Sequence, residues 1–136
     1  MSPLPPSLLP SLAAAIIYAA ATVYQSLRLS QAIKPDKRLL CLLGTLAVIA
    51  HAIGLFSQLT HSVGLGLDFF NSASLIAASV IVVTLIATSR IPVENLLVLL
   101  FPLGMVTVLL AQFAPSGTVQ PIMEEPGILS HILLSL

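Results

Sequence analysis

Three histidines carry the clearest ligand chemistry in this sequence: His51, His61 and His131. Imidazole is the commonest protein ligand to transition metals and a frequent ligand to haem iron, provided one neutral ring nitrogen is free. His51 lies inside an uncharged apolar run, thirteen residues beyond Arg38. That is a rise of about 20 Å if the run is helical. His131 follows Gly127 by four residues, near the start of the last apolar stretch. Gly44, Ala47, His51, Gly54 and Gln58 are spaced 3, 4, 3 and 4, which places them on one helical stripe. Small residues beside a histidine allow another helix to approach closely, or leave room for a flat ligand such as a porphyrin. Two chemistries are therefore open for His51: a hydrogen bond between helices, or ligation of a haem iron or other metal. His61 sits among polar residues and reads as a solvated surface side chain.

Catalytic patterns are missing around these histidines. The sequence holds no Gly-rich phosphate loop, nucleophile elbow, HExxH or CxxC, and no carboxylate lies inside an apolar run. Intramembrane charge would mark ion or proton coupling, so the chain is expected to bind or carry rather than to turn over substrate. Glu94 stands at the edge of a run, at helical spacing from Arg90, and the two are expected to pair locally as rim charges. Tyr18, Thr22 and Gln25 share one helical face, as do Asn71, Ser74 and Ala78. Polar faces of this kind pack inward and bond across helices, and Thr107 and Gln112 fit the same role. The lone Cys41 reads as a small packing residue.

Composition names the elements that must position these groups. Of 136 residues, 57% are hydrophobic and only 7% charged, and five basic residues balance five acidic ones. Mean hydropathy is +1.08. A soluble domain has about 25% charged residues, and a nucleic-acid binder needs a basic stripe; both are excluded. A disulfide-stapled domain is excluded by the single cysteine. All ten charges fall outside four runs at 8–27, 39–57, 69–89 and 95–113, each close to the roughly 20 residues that cross a bilayer as a helix. The expected fold is all-α: a multi-pass transmembrane helical bundle in one membrane domain. A fifth apolar stretch, 128–136, rises only about 14 Å and reads as a helix cut off mid-span. The chain is accordingly expected to be the amino-terminal part of a longer protein.

Loop charges give the expected orientation. Arg28, Lys34, Lys37 and Arg38 lie between the first two spans and Arg90 between the last two, whereas 58–68 and 114–127 contain no Lys or Arg. Basic loops stay cytoplasmic, so the N-terminus is expected outside and the three histidines toward the outer half of the membrane. The opening MSPLPPSLLP has no basic residue, unlike a secretory signal, and should stay attached. Local signals mark the turns: Pro35 with Asp36 as a cap, Asp68 as a cap for span three, Pro92 in the first turn of span four, and a kink at Pro102.

The segments QAIKPDKRLL, LAVIAHAIGLF, GLGLDFFNSASLIA, RIPVENLLVLLFPL and PGILSHILLSL occur in that order. Together they resemble YpjD-type inner-membrane proteins of the CcsA/HemX-like cytochrome c assembly family. The resemblance covers essentially the whole chain and about the first half of such a protein. It implies non-covalent haem handling in the bacterial inner membrane, beside other membrane proteins of cytochrome c maturation. Carried over by residue, haem contact falls on His131 and on His51. The tryptophan-rich haem loop of the true assembly factors has no counterpart, because this chain has no Trp. The alternative is an accessory or structural subunit that packs against partner helices without a cofactor.

Overall fold

An uncharged run in lipid can satisfy its backbone only by coiling into a helix, and all four runs do so. The computed structural model describes residues 3–61, 68–114 and 134–135. Its helices are α1 (Leu8–Leu29), α2 (Lys37–His61), α3 (Phe69–Thr88) and α4 (Leu97–Phe113), the last preceded by a 3-10 turn, Glu94–Leu96. Among the described residues there is no strand, and all four helical segments are long and apolar enough to cross a membrane. The expected fifth helix at 128–136 lies outside the described residues, apart from 134–135.

Boundaries differ from expectation in two instructive places. Helix α2 runs on to His61, so His61 ends a helix instead of sitting in a loop. Pro92 does not open the fourth helix. It lies in the connection, where Val93 N–H donates to the Ile91 carbonyl at 2.9 Å, and the 3-10 turn begins two residues later. Pro102 lies inside α4, which runs unbroken from Leu97 to Phe113.

The expected caps are present. Asp36 Oδ1 accepts from the N–H groups of Arg38 and Leu39 at 2.9 and 3.3 Å, closing the start of α2. Asp68 is extended and accepts from Asn71 N–H at 2.7 Å. Each bond satisfies a donor that the helix itself cannot. Asp68→Ala should lower stability in detergent by about 1 kcal/mol, read as an earlier thermal midpoint; an unchanged midpoint would remove the cap's significance.

Helix α1 packs against α2 and α4, and α3 against α4 and α2, so chain neighbours are also spatial neighbours around the bundle. Opposite ends meet throughout: Gln58 near the end of α2 reaches Ser11 near the start of α1, and Gln25 near the end of α1 reaches Glu94. The bundle is thus antiparallel and up-and-down. Small and polar side chains fill it: Ser11, Ala14, Ala15, Tyr18, Ala21 and Gln25 are the buried face of α1. Large apolar ones line its exterior, where Leu99 is 72% exposed and Val83 65%. A water-soluble monomer seldom exposes contiguous apolar surface on this scale. In lipid the arrangement is favourable, because close packing and interhelical hydrogen bonds, not apolar burial, hold such helices together.

Candidate functional site

Three spans converge on His51, which is fully buried. Helix α2 presents it on the 3–4 stripe, with Gly44, Ala47 and Gly54 buried beside it. Tyr18 Oη from α1 lies 3.1 Å from His51 Nδ1, and Ser74 Oγ from α3 lies 2.7 Å from Nε2. Either neutral tautomer serves: one nitrogen accepts from a hydroxyl while the other donates its N–H. The Tyr18 ring meets the imidazole edge-on at 5.8 Å and 90°, and a tilted Phe101 ring backs it at 6.0 Å.

The small residues of the stripe are filled by neighbouring helices. A Cβ on Gly44 would meet Leu85 Cδ2 at 2.8 Å and Phe101 Cζ at 3.1 Å. One on Gly54 would meet Ser11 Oγ at 2.6 Å and the Ser11 backbone nitrogen at 3.2 Å. On α4, a Cβ on Gly104 would meet Ile81 Cδ1 at 2.7 Å and Tyr18 Cζ at 3.0 Å. A porphyrin on His51 needs a free ring nitrogen and a slot beside the helix. In this packing both nitrogens are engaged and the neighbouring space is occupied, so the residues around His51 do not fit a haem. Of the two chemistries open to His51, the one present is the hydrogen bond between helices.

The other two histidines are not brought to it. His61 closes α2 and its side chain lies outside the described residues, as does all of His131. Among the described residues no three of His, Cys, Asp and Glu gather in a way that could hold a metal ion.

Further polar contacts lie toward the two ends of the bundle. Toward the start of α1, Gln58 Nε2 donates to Gln112 Oε1 at 2.8 Å and reaches Ser11 Oγ at 3.5 Å. Toward the basic loops, Arg28 Nη2 donates to Glu94 Oε1 at 3.1 Å, with the two side chains only 13% and 15% exposed. Gln25 Nε2 adds a bond to the Glu94 carbonyl at 2.8 Å, and Arg28 Nη1 reaches Gln25 Oε1 at 3.3 Å. Glu94 therefore pairs across the bundle with Arg28, and the local pairing with Arg90 expected from helical spacing is not formed. Sequence spacing also left the Tyr18–His51–Ser74 connection unread. A signal for part of it existed: Tyr18 lies ten residues before Arg28 and His51 thirteen after Arg38, which sets them at similar depth in adjacent antiparallel helices.

The described residues define a class: an antiparallel bundle of four apolar helices with a buried histidine held by two hydroxyls. No family model, curated protein or solved structure matches the chain.

Proposed function

We propose that this chain is a haem-handling protein of the bacterial inner membrane, serving c-type cytochrome assembly as a binder or carrier. In this reading the N-terminus lies outside, the basic loops lie inside, and other maturation proteins of the same membrane are its partners. The four described spans act as a closed packing module, with His51 joining α1, α2 and α3. Haem contact is assigned to His131. The observation behind this division of roles is the engagement of both His51 ring nitrogens, by Tyr18 and by Ser74. Support for haem itself comes from the ordered sequence segments, above all PGILSHILLSL.

A second reading is an accessory subunit that packs against partner helices and carries no cofactor. The tightly filled stripe on α2 favours it, because neighbouring helices occupy the space beside Gly44 and Gly54. One experiment separates the two. Protein expressed with haem supplied and purified in detergent should show a Soret band, retained in a folded His51→Ala variant and lost in His131→Ala. A wild-type protein without that band ends the haem reading and leaves the accessory one. Loss of the band in folded His51→Ala would return ligation to His51.

A further inference from the structure

The α1–α2 hairpin is built around an open groove of about 510 Å³ lined by Arg28, Gln31, Ala32, Ile33, Lys34 and Pro35. We propose that this groove binds the phosphate headgroup of an anionic phospholipid at the membrane surface.

Hydrogen bonds hold the groove's walls in place. Helix α1 ends in a Schellman turn: Ala32 N–H donates to the Leu27 carbonyl at 3.0 Å and Gln31 N–H to that of Arg28 at 3.1 Å. Gln31 takes φ 60, a left-handed conformation usually given to glycine. Across the loop, Tyr24 Oη donates to the Asp36 carbonyl and accepts from the Asp36 N–H, at 3.1 and 3.2 Å. The hairpin therefore has a defined shape on both sides of Lys34.

Its charge is neutralised only in part from within, by the Arg28–Glu94 ion pair. Asp36 is the loop's sole acidic residue, and its Oδ1 is engaged by the backbone of Arg38 and Leu39. Arg28 shares Glu94, but those contacts use two of the five guanidinium N–H donors. Lys34 and Lys37 are exposed. In the sequence the connections at this end hold five basic residues against Asp36 and Glu94, whereas Asp68, Glu124 and Glu125 are the charges of the other connections. An anionic leaflet attracts juxtamembrane cations of this kind.

Apolar surface selects a lipid over a free phosphate. Ala32, Ile33 and Pro35 line the groove beside the cations, and Leu29, Leu39 and Leu42 on the adjoining helix ends are exposed. A phosphodiester held at Lys34, with Lys37 exposed at the start of α2 and the remaining N–H donors of Arg28 in the lining, would place its glycerol on the apolar lining and its acyl chains along those leucines. Free phosphate has no use for either surface.

The test is lipid retention by the purified full chain, measured by native mass spectrometry with phosphatidylglycerol and phosphatidylcholine of matched chains. Neutralising each lysine should cost about fivefold. Phosphatidylglycerol should thus bind about 25-fold more tightly than phosphatidylcholine, and Lys34→Gln/Lys37→Gln should lose that preference with its thermal midpoint unchanged. Lys34→Arg should retain it. Equal retention of the two lipids, or undiminished phosphatidylglycerol binding by the double variant, overturns the proposal. So does displacement of the lipid by millimolar inorganic phosphate, which would identify a free anion as the ligand.

Discussion

His51→Ala is expected to destabilise the bundle by about 2–4 kcal/mol, read from reversible unfolding in mixed detergent and SDS. The loss has two physical sources. Removing the imidazole leaves a void among Tyr18, Ser74 and Ala47, which are all buried, and large-to-alanine changes in packed interiors cost about 2–5 kcal/mol. Two hydroxyls also lose their partner, at 3.1 and 2.7 Å. Interhelical bonds in membranes average only about 0.6 kcal/mol, because the unfolded chain in lipid finds substitutes. The void should therefore dominate. His51→Leu comes close to the volume and removes both bonds, so it should cost about 1–2 kcal/mol, with Tyr18→Phe below 1. A double-mutant cycle between Tyr18→Phe and His51→Ala would isolate their coupling. If His51→Ala stays within about 0.5 kcal/mol of wild type, a range typical of surface substitutions, the histidine is not a structural node.

Much of this arrangement was legible because lipid imposes simple rules. Each uncharged run had to be a helix, and the five basic residues marked which loops share an end. Gly44, Ala47, His51, Gly54 and Gln58 read as one face because small residues at 3–4 spacing have no reason to face lipid. The inward faces of α1 and α3 followed from Tyr18, Gln25, Asn71 and Ser74 by the same logic. Which residue meets which was much less accessible. Helical spacing offers Glu94 a local partner in Arg90, yet antiparallel packing brings in Arg28, 66 positions away. The 3-10 turn at Glu94–Leu96 and the bond from Gln25 to the Glu94 carbonyl hold that residue against the last turn of α1. Neither feature has a one-dimensional signature. The choice for His51 between a helix contact and a ligand slot depended on whether Ser11, Leu85 and Phe101 fill the stripe, which is a property of three dimensions.

The same filled stripe predicts that its two flanking glycines respond differently to a larger side chain. Gly54→Val should cost about 3 kcal/mol, the upper end of the range for overpacked interiors, whereas Gly44→Ala should be nearly neutral. The difference lies in what each Cβ meets. At Gly54 the obstacle includes Ser11's own backbone, with N at 3.2 Å and Cα at 3.5 Å behind an Oγ at 2.6 Å. Backbone inside a helix cannot swing aside, so α1 must move away from α2. Ser11 is fully buried and shares Gln58 with Gln112, and His51 lies one turn along the same face. Separation at Gly54 should therefore lengthen the Tyr18–His51 bond as well. At Gly44 the obstacles are the two terminal methyls of Leu85, at 2.8 and 3.3 Å, and Phe101 Cζ at 3.1 Å, side-chain ends that can shift without moving a backbone, and alanine regains about 1 kcal/mol of helix propensity over glycine. Gly54→Ala should fall between these two. Unfolding of the three variants in mixed detergent and SDS gives the order directly. If Gly54→Val proves no less stable than Gly44→Ala, the close α1–α2 approach at Ser11 is wrong, and the histidine node that depends on it loses its support.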